Sequence, residues 1–353
     1  MTALPQGATI GILGGGQLGR MLSVAASRLG FKSHIFDPDT QAPAAQLAHV
    51  HTVAAYDDAD AIAAFAEAVD VVTYEFENIP TAALEAIEAR APIHPNRKAL
   101  ATSQDRLTEK DFLSDLGLTT APYADIPTAG VLATTLPIFG GGILKTRRFG
   151  YDGKGQQRLT EDSDPATAFE ALADSGVILE GFVDFSCEIS VIAARGQDGA
   201  VSCYDPGENV HRNGILHTTN VPAKVPARLR TDAVLAASQI LNALDYVGVL
   251  GVEFFVTPHG LIVNEIAPRV HNSGHWTQNG TTIDQFEQHI RAIVGWPLGD
   301  GSRHADVEME NLIGDDVDRV PELAASGAAI HLYGKAEARA GRKMGHVNRI
   351  IRE

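Results

Sequence analysis

Cysteine is nearly missing from this chain: 353 residues contain two, Cys187 and Cys203. Two cannot build a disulfide framework or a cysteine-ligated zinc site, and a reducing, cytoplasmic setting is expected. Cations are scarce as well, with 28 Lys and Arg against 44 Asp and Glu and a formal net charge of -16. Non-specific nucleic-acid binding needs excess Lys and Arg to displace counterions, so nucleic acid is not an expected partner. A small phosphorylated ligand stays open, provided the few cations converge. No apolar run is long enough to span a bilayer, and no membrane partner is expected. Met1 to Ile10 has no basic segment ahead of an apolar core, so no signal peptide is expected. What is present is a globular composition, 44% hydrophobic and 20% charged, at a length suited to two or three subdomains.

The first hundred residues read as a βαβ arrangement. Thr9 to Leu13 is a short apolar strand, Gly14 to Gly19 a tight turn, and Arg20 to Leu29 a helix with Gly30 as its stop signal. Lys32 to Phe36 and Val71 to Tyr74 follow as strands, which argues for a parallel sheet. The pattern breaks near Pro92 to Pro95. Arg106 to Leu116 has the polar and apolar faces of a helix. From about Leu136 the strands follow one another across glycine turns, and the reading becomes α+β with antiparallel pairing. These shifts divide the chain into residues 1–104, 105–298 and a small, polar C-terminal part, 299–353, with a basic cluster near its end.

Gly14-x-Gly16-x-x-Gly19, with Asp37 a further 18 residues on, matches the dinucleotide fingerprint. Physically it means less than that. A glycine turn opening a helix offers backbone N–H groups and a positive dipole end to any anion. A nucleotide cofactor, a sugar phosphate and a carboxylate all fit, and the turn could equally do no more than close a strand onto its helix.

The segment Val252 to Thr277 carries more. Two apolar strands flank Pro258-His259-Gly260, a hairpin signal. With those three residues as the loop, Thr257 pairs with Leu261 and Glu253 lies opposite Glu265. Facing carboxylates in apolar strands repel unless neutralised, and a divalent cation does this. Oxygen ligands suit Mg²⁺, which takes one or two carboxylates and completes its shell with water and phosphate. Arg269, His271, Asn272, Ser273 and His275 follow directly. Arginine beside such a site suits bidentate contact with a carboxylate, bicarbonate or phosphate.

The order of these motifs resembles the ATP-grasp superfamily. It joins Gly14 to Gly19, Lys145 to Gln156, Glu180 to Val183, Glu188, Glu253 and Asn264 to Thr277. Within the superfamily it is similar to the 5-(carboxyamino)imidazole ribonucleotide synthetases of purine biosynthesis, over residues 9 to about 348. The resemblance implies a Rossmann-like substrate-binding domain, an ATP-grasp domain with a mobile lid subdomain, and a small C-terminal domain. It implies that Arg106 and Lys145 contact ATP phosphates, and that Gly150, Tyr151, Asp152, Gly153, Lys154, Gly155 and Gln156 form a mobile loop over the triphosphate. Glu180, Gly181, Phe182 and Val183 resemble the strand that reads adenine. Glu188 would hold the ribose, with His211 on the nucleotide side. Glu253 and Glu265 match the magnesium ligands, with Asn264 beside them. The glycine turn then becomes a ribonucleotide site at Gln17 and Leu18. Glu75 would lie near the imidazole, with Lys335, Arg342 and Lys343 on the substrate phosphate.

Arg269, His271, Asn272 and Ser273 would line the reaction centre, with Lys154, Arg269 and His271 as catalytic candidates. The implied reaction joins ATP, bicarbonate and 5-aminoimidazole ribonucleotide through carboxyphosphate, in a cytoplasmic homodimer. Either His271 or the released phosphate would take the amine's proton. A sister ligase acting on formate or another carboxylate is the nearer rival, and an NAD-dependent oxidoreductase the more distant one. Phe139-Gly140-Gly141-Gly142 is unusually glycine-rich for the approach to the Lys145 strand, and Cys187 has no reading of its own.

Overall fold

The computed structural model describes residues 3–150, 154–173 and 176–351. Four strands open the chain: β1 (Thr9–Leu13), β2 (Lys32–Phe36), β3 (Val50–Thr52) and β4 (Val71–Tyr74). They form a parallel sheet in the order β3-β2-β1-β4. The order brings the C-terminal ends of β1, β2 and β4 together, where α/β sheets bind ligands. Helix α1 (Gln17–Arg28) follows β1, and Gly30, at φ +82°, turns the chain back after it. Helices α2 (Ala59–Glu67) and α3 (Thr81–Glu88) cover the sheet, while α4 (Arg97–Ser103) and α5 (Arg106–Asp115) lead out of it. Asp105 caps α5 by accepting from Leu107 and Thr108 N–H.

A second, antiparallel sheet contains β5 (Tyr123–Ile126), β6 (Gly142–Thr146), β7 (Gln156–Leu159) and β8 (Val177–Glu180), in the order β5-β8-β6-β7. Helices α6 (Ala129–Phe139) and α7 (Pro165–Glu170) pack on it. The glycine run before Lys145 has a steric cause. Gly140 ends α6 in the left-handed conformation at φ +67°, and Gly141 sits at +103°. A Cβ on Gly142 would stand 2.5 Å from the Glu180 carbonyl oxygen.

The third sheet has nine strands: β9 (Cys187–Arg195), β10 (Val201–Cys203), β11 (Gly207–Arg212), β12 (Ile215–Val221), β13 (Gly248–Thr257), β14 (Gly260–Ala267), β15 (Asp306–Ile313), β16 (Ala329–Leu332) and β17 (Lys343–Ile351). Its order is β14-β13-β9-β11-β12-β15-β17-β16, with β10 hung on β9. The C-terminal strands therefore continue the central sheet. Helix α8 (Ala227–Ala243) buries Ala233, Ala237, Ile240 and Leu241 against β9 and β13. Each such fully buried leucine or isoleucine contributes roughly 1.5–3 kcal/mol. Cys187 packs at the edge of this core. After the short α9 (Thr277–Gly280), α10 (Gln285–Ile293) meets α1, and Arg28 pairs there with Asp284 and Glu287. Helix α11 (Val320–Ala325) precedes β16. No helix among the described residues is long and apolar enough to cross a membrane.

Candidate active site

The hairpin of β13 and β14 does set Glu253 opposite Glu265, but not by the expected turn. Thr257 pairs with Gly260, so the loop is Pro258-His259 alone. A two-residue loop with unbroken pairing would set Glu253 across from Asn264. A bulge between Phe254 and Glu253 advances the register by one residue and restores Glu265. Helix α5 secures that bulge. Lys110 Nζ donates to the Asn264 carbonyl at 2.8 Å, Glu109 Oε1 accepts from Ile266 N–H at 2.7 Å, and Arg106 Nη1 donates to Glu265 Oε2 at 3.2 Å. Residues 106, 109 and 110 share one helical face.

Burial, and then the charge of Glu265, lifts the Glu253 carboxyl to about 8. Burial acts on Glu265 too, but Arg106, Lys145 and Lys110 outweigh it and hold that carboxyl below its ordinary value. Glu109 is lifted to about 8, chiefly by burial and next by Glu265. Lys145 Nζ donates to Glu180 Oε2 at 2.9 Å, and burial lowers the lysine's pKa against that partner. Further along the wall Glu188 Oε2 lies 3.1 Å from His211 Nδ1, and the rings of Phe185 and Phe255 stack 4.6 Å apart.

The loop after β14 is held by its backbone. Gln285 accepts from His271 N–H and donates to the His271 carbonyl, at 2.9 and 2.7 Å. Gly251 makes room for it: a Cβ there would stand 2.8 Å from His271 Cβ. Arg269 Nε pairs with Glu77 at 3.0 Å, and His271 Nε2 lies 3.5 Å from Glu253 Oε1. Asn272 exchanges two amide hydrogen bonds with Asn311, both 2.9 Å.

At the glycine turn the anion expected from outside comes partly from within. Gly15 N–H donates to Asp37 Oδ2 at 2.6 Å. Gly19 N–H donates to Glu75 Oε2 at 2.6 Å, and Gly16 N–H donates to Glu75 Oε1. A Cβ on Gly14 or Gly16 would come within 2.5 Å of Glu75, so these glycines seat a carboxylate. Asp37 is thus engaged with the turn and with Tyr56, whose hydroxyl donates to it at 3.2 Å. Across the turn Lys335 Nζ donates to Gln17 Oε1 and to the Lys343 carbonyl, both at 2.7 Å.

One cleft of about 830 Å³ joins these parts, from Gln17 and Lys335 past His271 and the glutamates to Lys145 and Phe185. Residues 7–104 match the ribonucleotide synthetase preATP-grasp domain. Residues 111–286 match the ATP-grasp domain, and 308–353 the phosphoribosylaminoimidazole carboxylase C-terminal domain. The N5-carboxyaminoimidazole ribonucleotide synthase of Brucella melitensis is 54% identical over 99% of this chain and 98% of its own length. The chain belongs to the N5-carboxyaminoimidazole ribonucleotide synthases. A synthetase of this family solved as an ADP complex superposes with a TM-score of 0.95 at 42% identity, over 99% of this chain and 94% of that one. The Aspergillus clavatus synthase, solved with ADP and 5-aminoimidazole ribonucleotide, gives 0.91 at 33% identity, over 98% and 94%.

Most residues singled out from the sequence of this synthase line the cleft. At one end these are Arg106, Lys145, Gly150, Lys154, Gln156, Glu188 and His211. Glu253, Asn264 and Glu265 stand in the middle, with Arg269, His271 and Asn272. Gln17, Leu18, Glu75, Lys335, Arg342 and Lys343 close the far end. Tyr151, Asp152 and Gly153 lie outside the described residues. Gly155, Glu180, Gly181, Phe182, Val183 and Ser273 are not among the lining residues. Only Glu180 of the expected adenine strand is in β8. Gly181 N–H is spent on the Pro122 carbonyl at 2.8 Å, and Arg158 lies 4.0 Å over the Phe182 ring. Ser273 stands behind His271, 1% exposed. The sequence reading missed Glu109, Lys110, Glu77 and the Phe185–Phe255 pair. The first two were findable, three and four residues beyond Arg106 on one helix face.

Proposed function

We propose that this synthase carboxylates 5-aminoimidazole ribonucleotide with bicarbonate and ATP, releasing 5-(carboxyamino)imidazole ribonucleotide, ADP and phosphate. The observation that carries the reading is the single cleft, in which a buried glutamate pair lies between a lysine-rich end and a second cationic end. In this reading Arg106, Lys145, Lys154 and the Gly150–Gln156 loop align the triphosphate, while Glu188 and His211 face the ribose. Glu253 and Glu265 would hold Mg²⁺. The donor set fits, because two close, buried carboxylates repel until a cation joins them, and Glu253 is held protonated without one. Among the described residues no three His, Cys, Asp or Glu form a ready-made metal cage. That suits an ion that completes its shell with phosphate and water. When bound, Mg²⁺ supplies neutralisation of the charge developing on the transferred phosphoryl group.

Gln17 and Leu18 N–H, at the start of α1, would receive the substrate phosphate together with Lys335, Arg342 and Lys343. Glu75 holds the turn and faces the imidazole. Bicarbonate is a poor electrophile, and its oxygen would attack the γ-phosphate to give carboxyphosphate, held by Arg269 and His271. The substrate amine then attacks carbon. Closure of the glycine loop would shield the mixed anhydride from water. A cytoplasmic homodimer completes the proposal. An ADP-release assay omitting ATP, bicarbonate and aminoimidazole ribonucleotide in turn tests it. ADP should form fast only with all three, and no stimulation by the ribonucleotide would sink the assignment.

A further inference from the structure

His271 ends a chain of buried polar side chains that the scheme above does not use. Its Nδ1 accepts from the Ser273 backbone N–H at 3.4 Å and lies 2.8 Å from Ser273 Oγ. Behind it, Ser190 Oγ donates to Ser273 Oγ at 2.7 Å, and Asn209 Nδ2 donates to Ser190 Oγ at 2.9 Å. Thr219 Oγ1 donates to Asn209 Oδ1 at 2.9 Å. Ser190, Asn209 and Thr219 stand on the adjacent strands β9, β11 and β12, and none is more than 6% exposed.

The direction of this chain matters. A backbone N–H can only donate, so Nδ1 presents its lone pair to Ser273. The Ser190 proton is committed to Ser273 Oγ, which leaves the Ser273 proton for the same lone pair. A neutral imidazole whose Nδ1 accepts carries its proton on Nε2. Nε2 is the atom that lies 3.5 Å from Glu253 Oε1, on the cleft side.

We propose that Thr219, Asn209, Ser190 and Ser273 lock His271 in the Nε2–H tautomer, making it a fixed hydrogen-bond donor to the bicarbonate-derived carboxyl group and not the base for the substrate amine. The proposal rests on the function given above. A donor aimed at charge that grows during reaction is worth more than one that must first reorient. The amine's proton then goes elsewhere. The amine nitrogen bonds to the carboxyl carbon, and the carbon–oxygen bond to the phosphoryl group breaks. Phosphate leaves with that electron pair and takes the proton. Nε2 keeps its own proton throughout.

Ser190, Asn209 and Thr219 are positioning residues, and the test reads the ring directly. Enzyme labelled with ¹⁵N-histidine is observed by long-range proton–nitrogen correlation, with the His271 signals identified by their loss in His271→Gln. The wild-type ring should show a bare Nδ1 and a protonated Nε2. In Asn209→Asp, read at a pH where the new carboxyl is ionised, that group can only accept. Ser190 then turns its proton toward it, Ser273 follows, and Nδ1 becomes the protonated atom. Turnover should fall roughly 10²-fold, the scale of losing one aimed donor, while the KM for ATP holds. Ser190→Thr keeps the hydroxyl and should keep the wild-type tautomer and turnover. His271→Gln, whose amide can stand in for Nε2–H, should outperform His271→Ala.

A wild-type ring protonated on Nδ1, or an unchanged tautomer in folded Asn209→Asp with its new carboxyl ionised, overturns the lock. An enzyme with the expected tautomer that aminoimidazole ribonucleotide fails to stimulate sustains the lock and overturns the substrate assignment with the donor role built on it.

Discussion

Replacing Glu253 with glutamine should stabilise the ligand-free protein and silence it at once. The Glu253 carboxyl titrates near 8 when folded, against an ordinary value of 4.5. Between those values the folded chain keeps a proton that the unfolded chain has released, so stability falls as pH rises through that window. At pH 7.5 the difference spans about 3 units, or about 4 kcal/mol at roughly 1.36 kcal/mol per unit. Glutamine has the shape of the protonated acid and carries no such cost. The advantage of Glu253→Gln should therefore be below about 1 kcal/mol at about pH 5 and slightly exceed the pH 7.5 figure at about pH 8. Urea unfolding of both proteins at the two pH values measures it. Glu109, also lifted to about 8, is untouched and leaves a residual slope in the variant. Mg-ATP should stabilise the wild type more than the variant, and ADP release by the variant should fall at least about 100-fold, the scale of losing an electrostatic contact to the transferred phosphoryl group. Parallel loss of stability by the two proteins between these pH values would refute the reasoning.

Three further substitutions probe separate parts of the cleft. Glu265→Gln should leave a folded chain, by circular dichroism, with little ATP turnover; near-normal ADP production would contradict the metal role. Gly251→Ala places a Cβ 2.8 Å from that of His271. It should cost about 1–3 kcal/mol of stability and raise the KM for bicarbonate above that for ATP in relative terms, and an equal rise in both would count against it. Gly16→Ala drives a Cβ to 2.5 Å from Glu75 Oε1. The KM for aminoimidazole ribonucleotide should rise about tenfold, equivalent to roughly 1.4 kcal/mol, and an unchanged KM would show that Glu75 does not shape the substrate end.

The glutamate pair was legible in the sequence for a reason only partly right. Counting from a three-residue turn reached Glu265, whereas the chain reaches it with a shorter turn and a bulge at Asn264. Two offsets of one residue cancel. A bulge depends on what receives its loose backbone groups, and here Lys110 and Glu109 arrive from a helix some 155 residues earlier. The glycine turn was legible as an anion seat, but not its occupants. Asp37 and Glu75 follow the two strands that flank β1, and only the strand order brings their carboxylates to the turn. The basic cluster near the C-terminus gave no sign that its strand joins the sheet bearing the glutamates. Ser190, Asn209 and Thr219 read as ordinary strand residues, because their meaning lies in hydrogen bonds across three strands.

Lys343 and Glu253 belong to one sheet and stand five strands apart, on β17 and β13. Laid flat, five steps of 4.7–4.9 Å would separate them by about 24 Å. Yet both line one cleft, and the lysine's charge is felt at the Glu253 carboxyl. The sheet must roll, like a calliper whose two jaws are the Lys335–Lys343 end and the glutamate pair. The gap between the jaws is a property of strand number and curvature, and no single side chain sets it. Trimming one lining residue would change how a ligand is gripped, but not how far apart its phosphate and its reacting amine can be. A substrate with a longer reach would require an added strand or a displaced bulge.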